Sequence, residues 1–227
     1  MRQLLILFLF ISQILSAQVE RKKPEEVFDL YFRAFVKGDQ ESFSSLNIYL
    51  APLFSGHNVY DFDMKKKNEQ EISGMTNTFL PIFSPSAGKS NKQNIEDYFA
   101  TMLEYSCNSK YEIKSLNVFN FGELKKYKGL KLSYNIILEL PEKSIQEIFT
   151  SYVAQSNKKL TSLNAKEVET LITELKKEFT KKGVERTIDS EGVLLIITMN
   201  GKEYYYMPEP QNILSPDALS ESYFGHY

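Results

Sequence analysis

Leu130-Lys131-Leu132-Ser133-Tyr134-Asn135-Ile136-Ile137-Leu138-Glu139-Leu140 decides the fold class. Leu130, Leu132, Tyr134, Ile136, Leu138 and Leu140 fall on every second position, opposite Lys131, Ser133, Asn135 and Glu139. Successive side chains of a strand point to opposite faces, so this stretch reads as a long strand with one buried face. Pro141 stops it.

Strand signals continue on both sides. Upstream, Tyr111 to Phe121 reads as a strand with an irregularity near Ser115. Downstream, Val184 to Ile188 and Val193 to Met199 read as two more, and Asn200-Gly201 is a tight-hairpin signal leading into Tyr204-Tyr205-Tyr206. Between Pro141 and Gly183 the period changes. Ile145, Ile148, Phe149, Tyr152 and Val153 mark one helix. Val168, Leu171, Ile172, Leu175 and Phe179 mark a second, behind an Asn164–Glu167 capping box. That excursion, about residues 142–183, is far longer than a usual hairpin link.

The N-terminal half is helical. Pro24, Glu25 and Glu26 open a helix whose apolar face is Val27, Leu30, Tyr31, Ala34 and Phe35. Gly38 closes it and Asp39 caps a shorter helix carrying Phe43 and Leu46. Ile48-Tyr49-Leu50 and Val59-Tyr60-Asp61-Phe62 are candidate short strands. Met64 to Phe79 is a candidate helix interrupted by Gly74 and two threonines. Pro81, Pro85 and Gly88 mark a loop, and from about Ser90 another helix presents Ile95, Tyr98, Phe99, Met102 and Leu103. Helices first, then a mostly antiparallel sheet with a helical insertion, make an α+β domain over residues 18–210, with an irregular tail over 211–227.

Residues 1–17 read as an address. Met1-Arg2, an apolar run from Leu4 to Ile11, and Ser16-Ala17 form the pattern of a cleaved secretory signal. Ser12 and Gln13 interrupt a run already too short for a spanning helix, and no cysteine follows it for lipid attachment. The expected location is periplasmic or extracellular, with no membrane span after cleavage. The chain has 227 residues and a formal charge of −2 with mixed signs throughout, so nothing suggests a nucleic-acid surface. With Cys107 the sole cysteine, no internal disulfide is available and stability must come from burial of its 16 Phe and 14 Tyr.

Pro24-Glu25-Glu26-Val27, then Tyr31-Phe32-Arg33-Ala34-Phe35-Val36-Lys37-Gly38-Asp39 and Phe43-Ser44-Ser45-Leu46, resembles the opening of the nuclear-transport-factor-2-like superfamily, which includes SnoaL-like and ketosteroid-isomerase-like proteins. The resemblance implies a cone, in which a curved antiparallel sheet wraps the N-terminal helices and leaves a pocket at its open end. The forty-residue helical excursion departs from the common pattern and offers a partner surface. In the isomerases the first helix carries an oxyanion-hole tyrosine; Tyr31 stands at that spacing from Gly38, with Asp61 or Asp63 as the candidate base. Ser55 lies nearer the expected place of that acid, and a second oxyanion acid has no assignable position.

The remaining constellations are sparse. His57, Asp61 and Asp63 are the only cluster with ligand chemistry, better explained as a solvated loop, so no metal and no cofactor are expected. The lysine runs, Lys65 to Lys67 among them, are interleaved with acids and read as solvated faces. Cys107 reads as a small buried hydrophobe near a helix end. The tail residues Tyr223, Phe224, His226 and Tyr227 dock on the domain or meet a partner.

The leading expectation is an exported, non-catalytic binding or interaction protein. It would hold a small apolar ligand or an envelope protein through Tyr31, Phe35, Tyr98, Tyr134 and Tyr205, and a homodimer is open as well. The alternative is a lyase or isomerase that uses Tyr31 as donor and Asp61 or Asp63 as base.

Overall fold

The computed structural model describes residues 21–60, 63–120, 128–214, 218–219 and 222–223. The first 20 residues, with the signal-like run, lie outside them, as do Asp61, Phe62, Phe224, His226 and Tyr227.

Helix α1 (Pro24–Phe35) starts on proline, with Glu25 and Glu26 in its first turn. It buries Val27, Phe28, Tyr31, Phe32 and Phe35. Gly38, at φ +69°, turns the chain in a conformation that favours glycine. Asp39 then caps α2 (Gln40–Leu50), accepting from the Glu41 amide at 3.1 Å and the Ser42 hydroxyl at 2.8 Å. Arg33 of α1 pairs with the same carboxylate, so one residue joins both helices at their corner.

Ile48-Tyr49-Leu50 belongs to α2 and is not a strand. Ser42, Leu46, Tyr49 and Leu50 are buried while Ile48 is 70% exposed, which is a helical period and not an alternating one. The Val59–Tyr60 candidate strand also fails. Its backbone bonds to the side chain of buried Asn47, whose Oδ1 accepts from Val59 N and Tyr60 N and whose Nδ2 donates to Tyr60 O. One amide side chain satisfies the groups that a neighbouring strand would have taken.

Helix α3 (Met64–Phe79) is capped by Asp63, which accepts from the Lys66 amide at 3.1 Å. The expected loop at Pro81–Gly88 is instead a 3-10 turn (Leu80–Ile82) followed by α4 (Pro85–Ser90). Pro85 occupies the first helical turn, where a missing N–H costs nothing. Helix α5 (Lys92–Ser106) follows and buries Ile95, Tyr98, Phe99 and Met102.

The sheet has four antiparallel strands in sequence order: β1 (Lys110–Asn120), β2 (Lys128–Leu140), β3 (Val184–Met199) and β4 (Lys202–Tyr206). The register of β1 against β2 shifts between Ile113 and Ser115, at the expected irregularity. The Asn200-Gly201 hairpin has φ of 52° and 72°, both positive as a type I′ turn requires. The two strands expected over 184–199 are one. Asp189 lies opposite Asn135 and Glu191 opposite Ser133, so the polar break in β3 meets the polar face of β2 and pairing continues.

Between β2 and β3 stand α6 (Ile145–Ser156) and α7 (Ala165–Glu178), each opened by a capping box, Ser144–Glu147 and Asn164–Glu167. The architecture is therefore α+β with a two-helix insertion between strands. Leu132, Tyr134, Ile136 and Leu138 form the inner face of β2, all within 1% of full burial. Helix α1 packs there through Phe28, whose ring lies 4.8 Å from Tyr134 and 5.1 Å from Tyr111. Ile213, Leu219 and Tyr223, in the tail expected to be irregular, join this core. Among the described residues no helix is long and apolar enough to cross a membrane, and no cluster of metal-binding side chains occurs.

Candidate functional site

Helix α3 has two inner stripes. Ile72, Thr76 and Phe79 turn to the core, Thr76 and Phe79 almost wholly buried. Met64, Lys67, Glu71, Met75 and Thr78 recur at three- and four-residue spacing on the neighbouring stripe, which opens onto a groove of about 720 Å³. Its other walls are Phe35 and Val36 at the end of α1, Leu103, Ser106 and Cys107 at the end of α5, and Ile82, Leu214 and Leu219. That volume lies in the range of small-molecule sites.

Three polar side chains of the wall bond within their own helices. The Thr78 hydroxyl donates to Gly74 O at 3.1 Å and the Ser106 hydroxyl to Leu103 O at 2.6 Å. The Cys107 thiol also reaches Leu103 O, at 3.3 Å. The lining is mixed, with apolar surface outweighing polar. The charged groups form a pair in the first half of α3, where Lys67 meets Glu71 at 3.3 Å beside Asn68, with Met64 one turn before them.

Cys107 ends α5 and is half-buried on this wall, not enclosed in the core as its small-hydrophobe reading implies. Burial pushes the thiol above its usual range; Lys67 and Lys37 oppose that, while Glu104 and Glu71 reinforce it. A raised thiol is protonated at neutral pH and is a poor nucleophile.

Of the five aromatic residues expected to hold a ligand, Phe35 lines the groove and the others do not. Tyr98 is fully buried between Phe99 and Phe179. Tyr134 is equally buried and donates to Ile213 O at 3.1 Å. Tyr205 is half-buried on β4, its amide donating to the Tyr49 hydroxyl at 2.9 Å.

Tyr31 is wholly buried and closes a small ring of hydrogen bonds. Its hydroxyl accepts from Met207 N at 2.9 Å, and Tyr60 donates to Met207 O at 2.7 Å. The two hydroxyl oxygens are 3.1 Å apart. Each carries one proton; with that of Tyr60 committed to the carbonyl, the Tyr31 proton makes this contact. Burial pushes both hydroxyls far above the ordinary tyrosine range. Tyr31 thus has its acceptor and donor capacity filled by Tyr60 and Met207, and it is not among the walls of this groove. Asp63 is exposed and caps α3; Asp61 lies outside the described residues. The donor and base that an isomerase needs are therefore not brought together among the described residues.

Sequence reasoning missed the α3 stripe. Met64 and Met75, with Gly74 inside a helix, were its only local signals, and neither distinguishes a groove from a core. Compared with family models, curated proteins and solved structures, the chain has no match.

Proposed function

We propose that this chain is an exported, non-catalytic binding protein that holds a small apolar molecule in the groove along α3. The observation that carries the reading is the groove itself, whose lining is more apolar than polar and whose Thr78, Ser106 and Cys107 side chains bond back to their own helices. Each 100 Å² of apolar ligand surface removed from water there contributes about 2.5 kcal/mol. Two methionines, flexible and polarizable, let the lining adapt to an occupant. The export half rests on the signal-like opening of the sequence, Met1 to Ala17.

Mass spectrometry of the protein under native conditions, after purification from its own compartment, tests this directly. The expected result is one small apolar molecule per chain. Cys107 supplies a second readout, since an occupant should slow its alkylation by N-ethylmaleimide. Met75→Trp, which fills the groove, should abolish both the bound mass and uptake of the apolar dye anilinonaphthalene sulfonate while leaving the circular dichroism unchanged. Equal dye uptake by the filled variant, or a bound protein in place of a small molecule, would overturn the reading.

A further inference from the structure

Asn200-Gly201 is the one Asn-Gly pair in the sequence, and both residues are exposed at the tip of the β3–β4 hairpin. Glycine has no Cβ, so its amide nitrogen is the least shielded that can follow an asparagine. Nothing lies within 4 Å of where a Cβ at Gly201 would stand. The closing pair of the hairpin is Met199 and Lys202, which leaves the Gly201 N–H outside the ladder. Among the described residues neither that N–H nor the Asn200 side chain has a hydrogen-bond partner.

Other asparagines lack this combination. Asn47 has its side-chain amide bonded to Val59 and Tyr60. Asn108 precedes Ser109, which is 1% exposed and donates its N–H to Ser106 O at 3.1 Å. Asn212 precedes Ile213, whose N–H donates to Pro210 O at 3.3 Å. Asn157 shares the left-handed backbone of Asn200, at φ 53°, but Lys158 follows it and brings a side chain beside the nitrogen.

We propose that Asn200 is a site of spontaneous deamidation, where the Gly201 nitrogen attacks the Asn200 side-chain carbon and turns the hairpin tip into aspartate and isoaspartate. Hydroxide takes the Gly201 N–H proton, and the nitrogen forms a bond to Asn200 Cγ. The Cγ–Nδ2 bond breaks, and ammonia leaves with a proton from water, which restores the hydroxide. Water then opens the cyclic imide. Attack at Cγ gives aspartate; attack at the Asn200 main-chain carbonyl gives isoaspartate. No atom is oxidised or reduced. The turn must open briefly for the ring to close, which an exposed hairpin end does more readily than the core.

The consequence is local. Isoaspartate lengthens the main chain by a carbon, whereas the type I′ turn needs ordinary residues at positive φ in both central places. The Met199–Lys202 pair should therefore fray. Further along β4 the fraying stops, because the Tyr205 amide is held by the Tyr49 hydroxyl and the Met207 amide by Tyr31.

Peptide mapping by mass spectrometry tests this, on the full chain kept folded in mildly alkaline buffer with the ellipticity followed alongside. The Asn200 peptide should be the first to gain the mass of an amide turned to an acid, and it should split into an aspartate and an isoaspartate peak. Asn200→Gly, which admits the same positive φ, should remove this early release of ammonia and leave the ellipticity unchanged. In the aged protein, hydrogen exchange should quicken at Lys202 and stay slow at Tyr205 and Met207. Conversion of Asn108 or Asn157 before Asn200 overturns the assignment, as does conversion of Asn200 only after the ellipticity is lost. Faster exchange at Met207 as well overturns the confinement of the effect to the tip.

Discussion

Met207 is 3% exposed, and both its peptide groups end on tyrosine hydroxyls instead of another strand. A buried amide left without an acceptor loses its share of desolvation in full, so Tyr31→Phe should destabilise the protein by about 1–3 kcal/mol in urea unfolding. Tyr60→Phe should cost less than that, because a carbonyl without a donor is tolerated better than an orphaned N–H. The double variant should lose less than the sum, since each single change breaks the same ring. Tyr31→Phe should leave groove binding intact, because Tyr31 is not among the groove's walls; a lost ligand with a retained fold would return Tyr31 to the site. Gly183 makes the opposite kind of demand. It sits where the chain returns from α7 to β3, and a Cβ there would meet Leu140 O at 2.9 Å as well as the Glu139 side chain. A carbonyl in a strand cannot swing aside, so Gly183→Ala should cost about 1–3 kcal/mol by overpacking, read as a lower urea midpoint.

At the scale of elements, each capping box fixes where a helix of the insertion begins. Asn164 accepts from the Glu167 amide at 3.0 Å while Glu167 accepts from the Asn164 amide at 2.9 Å. Asn164→Ala should therefore cost about 1 kcal/mol and fray the start of α7, seen as faster amide exchange at Val168 than at Leu175. Helix α7 and strand β2 were legible in the sequence because periodicity and end signals agreed within one window. Ile48 to Leu50 was not, because three apolar residues fit either period until Ser42 and Leu46 are counted with them. The break read into β3 failed for a non-local reason: only the register shows that Asp189 and Glu191 meet Asn135 and Ser133. The groove was the least legible feature of all. Its walls come from residues as far apart as Phe35, Met75, Cys107 and Leu219, and no local pattern joins them. Among the aromatic candidates only Phe35 carried over, because the rings of Tyr31, Tyr98 and Tyr134 fill the core and Tyr205 packs half-buried on β4.

At the scale of the whole molecule, the core includes several buried tyrosines, which gives it an asymmetric response to pH. Burial pushes Tyr49 up to about 12, and the same cause drives Tyr31, Tyr60, Tyr98 and Tyr134 higher still. Below the ordinary tyrosine value near 10 these groups are neutral in both states, so their contribution is fully present. Above it the unfolded chain gives up protons that the folded chain keeps, and stability falls as pH rises toward the folded values. Each such group adds a slope of about 1.4 kcal/mol per pH unit, so these five together reach about 7 kcal/mol per unit once the unfolded chain is ionised. Two such units remove about 14 kcal/mol, most or all of the margin of about 5–15 kcal/mol usual for a domain. On the acid side, Asp39 is lowered chiefly by the Ser42 hydroxyl, and Glu147 and Glu167 by Ser144 and by Lys158. Their help is present above the ordinary carboxylate value and is lost as pH falls through the lowered ones. All three are surface groups in water, so that loss is small. The expected behaviour is a gradual decline in acid and a cooperative collapse between pH 10 and about 12. In a spectrophotometric titration most of the tyrosinate signal should rise together with the loss of far-ultraviolet ellipticity. Buried tyrosines that ionise near 10 while the ellipticity holds would mean that water reaches these rings, and that the interior is not closed by them.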